Sequence, residues 1–441
     1  KPFYDLKVVS IYEFLEIRFG KVTRRLSSFV FLLTRSLASG SRIYVGAILL
    51  VLAWEVMNPE FLKLTGEARF QEELKIYIGA VIALTFLTGL YTTFGGIKAV
   101  VWTDLIQVTL MFGSAAYVFF WLLGKTGGWG GFFESIQQPA FVNTGIDPAK
   151  SFGANLKGIL EQEYTIWAAF LGSVFTTLAT HGTDQDMVQR MLTSKDHKRG
   201  QRAVVMSGLI DLPVVIGFLA IGILLFRFYT QNAERAPEHG PGIFAWFMVH
   251  DLSPGLRGLL AAGLFATAMG SLSTALNALA TTFTKDWYLG YFRPAATSNE
   301  QFLVARWATV GFAVFLALIG IGTAWVKLKN PELRIIPIVL GSFGYTYGSL
   351  LGVFLIGMLT KTRGTCTGNI VAMLAGFLAV AILTDLPNDL WKMLAGSKAY
   401  ERPDWLPTIA FTWRIMAGTL VTVLVGLCFP RKGEAYVSRT L

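Results

Sequence analysis

Residues 256–283 read LRGLLAAGLFATAMGSLSTALNALATTF, with Arg257 as the one charged side chain. A run of about 20 mostly apolar residues is long enough to cross a bilayer as a helix, and this run is longer. Its interior is not uniformly apolar. Ala266-Thr-Ala-Met-Gly-Ser-Leu-Ser-Thr-Ala-Leu-Asn277 carries a dense row of small hydroxyl residues. At about 3.6 residues per turn, Thr267, Gly270, Ser271 and Thr274 share one face, with Ser273 beside them. Hydroxyls and backbone carbonyls are hard, neutral oxygen donors of the kind a small dehydrated cation accepts in place of water. Small residues in a membrane helix have a second use: neighbouring helices can approach closely over them and hydrogen-bond across the gap.

The surrounding chain has the same character. Of 441 residues, 53% are hydrophobic and only 15% charged, against about 25% charged in soluble domains. Ten stretches qualify as membrane-spanning helices: 26–53, 74–94, 97–123, 158–181, 203–228, 256–283, 301–326, 333–359, 365–386 and 408–429. Their length and continuous apolarity exclude an outer-membrane barrel, whose strands are about 10 alternating residues each. The chain is an all-α integral membrane protein forming a single transmembrane domain over 1–441.

A formal charge of +10 invites a nucleic-acid partner, but the basic residues gather on no soluble module. Lys7, Arg18, Lys21, Arg24 and Arg25 precede the first span; Arg190, Lys195, Lys198, Arg199 and Arg202 follow the fourth; Arg431, Lys432 and Arg439 follow the tenth. The positive-inside bias then places both ends in the cytoplasm of a multi-pass cell-membrane protein. Cys366 and Cys428 both fall at expected membrane depth and read as buried small hydrophobes without a disulfide or metal framework. The chain begins at Lys1 and runs straight into a basic amphipathic segment; we expect no signal peptide there and read the chain as the remainder of a longer protein or a truncated gene model.

The longest hydrophilic stretches are 124–157, 229–255 and 387–407, and the first two have room for short surface helices. Breakers and polar residues concentrate in four spans: the fourth (Thr176, Thr177, Thr180, His181), the fifth (Asp211, Pro213), the sixth, and the eighth (Gly341, Ser342, Gly344, Tyr345, Thr346, Gly348). Transporters place such interruptions where unwound backbone lines a cavity at the membrane midplane.

Asp104 is the sharpest single residue. It lies in Gly95-Gly-Ile-Lys-Ala-Val-Val-Trp-Thr-Asp-Leu-Ile-Gln107, roughly 10 Å into the third span. An intramembrane carboxylate costs about 2.5–3.5 kcal/mol on insertion scales and marks function by default. The alternative is an ion pair with Lys98 or a shallow, watered position. With the Ser273 and Thr274 hydroxyls, Asp104 would make a sodium cage.

Four spaced pieces of the chain resemble the sodium/solute symporters, the family of the sodium–glucose and sodium–monocarboxylate cotransporters. Ser10-Ile-Tyr-Glu-Phe-Leu-Glu-Ile-Arg-Phe-Gly20 is similar to the segment ahead of the family's third core helix. Gly95 to Gln107 resembles its Gly-Gly…Thr-Asp…Gln motif, and Gly182-Thr-Asp-Gln-Asp-Met-Val-Gln-Arg190 its Thr-Asp-Gln…Val-Gln-Arg motif. Leu272-Ser-Thr-Ala-Leu-Asn277 through Phe283-Thr-Lys-Asp286 resembles its sodium-binding helix and exit. The resemblance implies a leucine-transporter-type five-plus-five inverted repeat. Residues 26–123 would be the remainder of repeat one, 158–359 repeat two, and 365–429 two flanking helices; the family's first core helices would precede Lys1.

The resemblance also implies a ligand set. The primary sodium site would use the Thr267 carbonyl, position 270 and the Ser271 hydroxyl. Gly270 stands where the family usually has Ser, so one hydroxyl ligand is lost. A second sodium site, present in some members, matches Asp104, Ser273 and Thr274, all intact. One sodium, or two, is therefore expected, and no organic cofactor.

Arg35 and Arg42 lie in the first span at i, i+7, hence on one face, with Ser39 between them. A planar guanidinium suits bidentate binding of a carboxylate. In sialic acid-type members an Arg of this helix holds the substrate carboxylate; that position falls near Ala38 here, one turn from both arginines. An internal salt bridge, with Asp211 or an acid preceding Lys1, is the competing reading. Sugar-type members have an Asn and a gating Tyr where Thr177 and Thr180 stand, and a sugar-binding Gln where Leu340 stands. Asp211 beside Pro213 is open between a substrate contact and a kink residue. His181 reads as a helix-end or gate residue; His197, His239 and His250 lie in loops with no metal spacing.

The reading is a sodium-coupled symporter importing a small organic solute, a carboxylate-bearing one in preference to a sugar or other neutral solute. A transporter-like membrane sensor is the alternative class. No paired catalytic groups at one depth suggest an enzyme. The expected partners are a small-molecule substrate and the lipid bilayer, with no nucleic acid and no obligate protein partner.

Overall fold

The computed structural model describes residues 2–136, 142–236, 243–330, 335–388, 391, 400–403 and 405–430. Among them the secondary structure is helical, apart from one isolated bridge between Arg363 and Pro430. After a single turn at Pro2–Asp5 come α1 (Tyr12–Phe19), α2 (Lys21–Met57), α3 (Gly66–Lys125), α4 (Gly128–Ile136), α5 (Phe152–Glu161), α6 (Ser173–Gly182) and α7 (Gln185–Leu192). Then follow α8 (His197–Gln231), α9 (Ile243–His250), α10 (Pro254–Thr282), α11 (Ser298–Lys329), α12 (Ile335–Leu359), α13 (Cys366–Leu383) and α14 (Phe411–Leu427). α10 continues as a π-helical stretch, Phe283–Phe292.

Six of these helices are long and apolar enough to cross a membrane, and Phe343–Leu359 and Phe411–Leu427 are shorter apolar helices. α3 would measure about 90 Å at 1.5 Å per residue, too long for one crossing. It breaks at Gly96, where φ is 56° and ψ is −157°, a conformation open to glycine and closed to most residues with a Cβ. The break falls between the spans expected at 74–94 and 97–123. Short helices do fall in the first two hydrophilic stretches: α4 and α9 lie inside them, and α5 begins in the first and runs past its end to Glu161.

Several boundaries differ from the sequence expectation. The fourth span does not start at 158. Ser151 caps α5 through the Ala154 amide, and that helix ends at Glu161. Asn143 then holds the chain open by donating to Gln162 Oε1 and to the Tyr164 carbonyl, each at 3.0 Å. Helix resumes at 166 and passes through a π turn, Ala168–Gly172, into α6. Lys21, Arg24 and Arg25 belong to α2 instead of preceding it, because Gly20 at φ 106° makes the corner that separates α1 from α2. Cys366 opens α13 and Cys428 follows α14; both are free and Cys428 is exposed, so neither is a deeply buried residue.

The expected interruptions in the fifth, sixth and eighth spans are absent among the described residues, α10 being continuous over Pro254–Thr282. α8 runs helically through Pro213. α12 is continuous, and its glycines serve packing. A Cβ at Gly348 would stand 2.6 Å from the Ile415 carbonyl oxygen, and one at Gly352 2.6 Å from Thr422 Cβ. α12 and α14 therefore approach to backbone contact, which is how membrane helices gain packing when lipid itself is as apolar as leucine.

α2 runs through the middle of the bundle. Phe31, Ala38 and Tyr44 of α2 are buried with Leu276 and Leu279 of α10, Leu316 of α11 and Tyr347 and Phe354 of α12. Phe86, Phe120, Leu212 and Leu424 point outward from their helices, each more than 60% exposed, as lipid-facing side chains do.

Candidate functional site

The Gly182–Arg190 segment ties the site together. α6 ends at Gly182, and Asp184 caps α7, its Oδ1 accepting from the Asp186 amide at 2.9 Å. Oδ2 of Asp184 accepts from Arg35 Nη1 at 3.0 Å and from the Tyr347 hydroxyl at 2.8 Å. Arg35 Nη2 donates to Asp186 Oδ2. All four groups are buried. Gln185 faces the other way and clamps the N-terminal segment: its Oε1 accepts from the Ile11 amide and its Nε2 donates to the Val9 carbonyl, both at 2.9 Å. Burying ions is costly unless each is paired and hydrogen-bonded. Two carboxylates and a tyrosine around one guanidinium meet that condition.

Arg35 therefore has an internal salt bridge, but not with Asp211. Asp211 lies on an exposed face of α8, away from this network. Nor does Asp104 pair with Lys98. Its Oδ2 lies 3.3 Å from Arg190 Nη2, and Arg190 Nε lies 3.7 Å from Asp186 Oδ1. A chain of alternating charge thus runs Asp104–Arg190–Asp186–Arg35–Asp184. Arg190, read from sequence as a cytoplasmic loop charge, is a member of it.

The hydroxyl row of α10 divides between two surroundings instead of presenting one face. Thr267 and Ser271 line a small cavity of about 230 Å³, together with Ser39 and Arg42 of α2. Ser273 and Thr274 are buried, and both donate to the Gly270 carbonyl at 3.0 Å. Gly270 faces α3: a Cβ there would stand 3.3 Å from Asp104 Oδ1 and 2.7 Å from Gln107 Oε1. The Tyr91 hydroxyl donates to the neighbouring Met269 carbonyl at 3.3 Å. Asp104, Ser273 and Thr274, named from sequence as the second site, all lie at Gly270, which the sequence reading assigned to the primary site with Thr267 and Ser271; Gln107 and Tyr91 are beside them.

A larger cavity of about 900 Å³ opens beside α6, within the range of small-molecule sites. Arg35, Arg42, Thr177, Thr180 and Asp184 all line it, with Phe343 of α12 among the apolar walls. Four of the five residues expected to contact substrate or gate access are thus gathered in one place; Asp211 is not. Arg42 lines both cavities. Its guanidinium lies over the Phe343 ring at 5.6 Å, and no carboxylate among the described residues is within 4.0 Å of it. Thr180 donates back to the Thr176 carbonyl at 2.9 Å, and Thr177 is exposed. Leu340 falls where no side chain is described, and His239 lies outside the described residues. His181 sits at the end of α6, His197 opens α8 and His250 closes α9. Among the described residues no three His, Cys, Asp or Glu side chains are grouped to hold a metal ion.

At the lower end of α2, Arg24 Nε donates to Asp286 Oδ1 at 2.7 Å, and Ser10 Oγ donates to Asp286 Oδ2 at 2.6 Å. The Thr-Lys-Asp stretch after the sodium-helix motif is in this way fastened to Ser10, just ahead of α1, and to α2.

A family model described as the sodium:solute symporter family matches residues 63–376. The sodium-dependent multivitamin transporter of Oryctolagus cuniculus is 28% identical over 96% of this chain and 63% of its own length. A sodium/sialic acid symporter of Proteus mirabilis is 26% identical over 86% of this chain and 71% of its own. The sodium-coupled monocarboxylate transporter 1 of Homo sapiens is 27% identical over 85% and 56%. The chain thus spans just over half to about seven tenths of the length of these relatives. In fold it is similar to a solved Na+-coupled sialic acid symporter in a substrate-bound outward-open state. The TM-score is 0.72 at 24% identity, over 97% of this chain and 78% of that one.

Proposed function

The chain belongs to the sodium:solute symporter family, and from that premise we propose that it couples sodium entry to the import of a small carboxylate-bearing solute. It is a multi-pass membrane protein, and the reading keeps both its ends in the cytoplasm. It also keeps the five-plus-five inverted repeat, with 26–123 as the remainder of repeat one, 158–359 as repeat two and 365–429 flanking. No bond is made or broken in such a cycle, so no residue has a catalytic role. Sodium would be held by Thr267, Gly270 and Ser271 at one site and by Asp104, Ser273 and Thr274 at a second.

The observation that carries the substrate class is the contrast between the two arginines. Arg35 is neutralised by Asp184 and Asp186. Arg42 has no carboxylate beside it and projects between the large cavity and the small one that holds Thr267 and Ser271. A guanidinium without a counter-ion at membrane depth is expensive, and an incoming carboxylate would supply one. That carboxylate would also lie next to the primary sodium, so each ligand favours the other electrostatically. Two of the similar relatives transport acids by name.

The test is competition of sialic acid, short monocarboxylates and hexoses for the purified complete gene product, with Arg42→Ala alongside. Acids should compete, and Arg42→Ala should weaken them on the order of tenfold or more, the loss expected from a charge-assisted bidentate pair. Competition by hexoses alone would overturn the assignment.

A further inference from the structure

We infer that the groove between α3 and α11 binds an anionic phospholipid, with one acyl chain lying in the groove and the phosphate at Arg306. The groove is a cavity of about 500 Å³, and it shares no lining residue with either cavity described above. Gly89 of α3 and Ala313 and Ala317 of α11 are its small residues. A Cβ at Gly89 would stand 3.5 Å from that of Ala313, so the two helices meet there. Phe86 and Leu90 of α3 and Val314 and Leu318 of α11 rise around them, all exposed. Apart from Thr85 and Thr93, no lining residue is polar.

The length of the groove suits a chain of one leaflet. From Ile82 to Phe94 is about 18 Å of helix at 1.5 Å per residue, close to half of the ~30 Å hydrocarbon core. At the Phe94 end the surroundings change. The Arg306 guanidinium lies over the Phe94 ring at 5.5 Å and over the Phe302 ring at 4.2 Å. Its Nε is buried without a hydrogen-bond acceptor, and it pairs with no carboxylate among the described residues. Lys98, just beyond the Gly96 break, is exposed and likewise pairs with no carboxylate among them. Trp102 and Trp307 are exposed nearby in sequence, as tryptophans of a membrane–water interface are.

A guanidinium at membrane depth without an acceptor is costly, and its forked donors match a phosphate bidentately. A phospholipid supplies both parts in one molecule: a narrow apolar chain for the groove and a phosphate at its mouth. Two cations without carboxylates beside them favour a headgroup of net negative charge over a zwitterionic one. A helix of a second copy is about 10 Å across with its side chains, too wide for a cleft whose walls meet at Gly89 and Ala313. On the proposed topology the Phe94 end lies in the cytoplasmic leaflet, which carries anionic lipid.

The experiment is native mass spectrometry of the delipidated complete gene product, titrated with phosphatidylglycerol or with phosphatidylcholine of the same acyl chains. The first phosphatidylglycerol should bind more tightly than the first phosphatidylcholine. Arg306→Gln should weaken phosphatidylglycerol roughly five- to tenfold and narrow its margin over phosphatidylcholine. Should that variant fail to fold, Arg306→Met, which keeps an apolar stem between the two rings, carries the same expectation. Ala317→Trp, which fills the groove, should weaken both lipids. Glycerol phosphate, a headgroup without a chain, should not displace phosphatidylglycerol. Equal affinity for the two lipids would overturn the inference, as would a phosphatidylglycerol affinity untouched by the Arg306 variants or by Ala317→Trp. A dimer that Ala317→Trp converts to monomer would also overturn it, because a second copy would then occupy the groove.

Discussion

Asp104 and Arg190 form an ion pair between α3 and α7, Nη2 to Oδ2 at 3.3 Å. The same guanidinium reaches back to Asp186, whose other oxygen holds Arg35 in the wall of the large cavity. A cation bound at Asp104 would compete with Arg190 for its charge, and the ion-pair chain would carry the consequence through Asp186 to Arg35 at the cavity. Removing the competitor should strengthen the cation. Arg190→Gln is expected to lower the half-saturating sodium concentration roughly three- to tenfold, since a single charge at this distance is partly screened by exposure. An unaltered or weakened sodium titration would show that Arg190 does not compete.

Arg35 makes a structural prediction that guards against misreading its variants. Arg35→Ala leaves Asp184 buried without its cation and Asp186 with Arg190 alone, a loss of about 3–5 kcal/mol for breaking a buried pair from one side. Little folded protein should be recovered by size-exclusion chromatography. Arg35→Met combined with Asp184→Asn and Asp186→Asn should restore much of it, because no uncompensated charge remains. Normal yield and stability of the single variant would contradict the network.

The contact between α12 and α14 should be intolerant of any side chain at Gly348. A Cβ there meets the Ile415 carbonyl oxygen at 2.6 Å and the Thr419 amide nitrogen at 2.9 Å, both backbone atoms that cannot swing away. Gly348→Leu is expected to cost about 1–3 kcal/mol, the range for overpacking, read as a lower melting temperature in detergent. Gly322, which has open space around its Cβ direction, should accept alanine without a comparable drop.

The start of α8 carries a pH dependence. The Arg199 backbone amide, donating to the Asp196 carboxylate at 2.9 Å, holds that carboxyl below its ordinary value. Its contribution is therefore present above the ordinary carboxylate pKa, about 3.9, and is lost as the pH falls through the lower folded value. Asp196→Ala should reduce the hydrogen-exchange protection of amides 198–200 at neutral pH, and Asp196→Asn, a competent cap, should keep most of it. Equal protection in all three proteins would remove the cap from the account.

Much of this was legible in the sequence because membrane helices declare themselves by length and apolarity. The break at Gly96 and the helix through 256–283 are examples, and Asp104 stood out because a charge at that depth has few uses. The partners of that charge were not legible. Arg190 lies in a segment whose basic residues look like a positive-inside signal, and only the cap at Asp184 turns α7 so that Arg190 reaches α3. Gln107 looked like one more polar residue of a motif until Gly270 was seen to face it. The glycines of α12 suggested unwound backbone, yet they mark close packing on α14. Sequence shows which residues are small without showing whether a helix or a ligand fills the space they leave. Asp211 failed for a related reason: depth along a helix says nothing about which side of the bundle it faces.

The central claim is sodium-coupled import of a carboxylate, and uptake into proteoliposomes by the complete gene product tests it most directly. With a labelled carboxylate that competes in the binding assay, an inward sodium gradient should drive accumulation above equilibrium. Replacing sodium with choline should abolish that accumulation, and Arg42→Ala should reduce it with the gradient intact. Accumulation that proceeds equally in choline, or a gradient that drives hexose and no acid, would contradict the account.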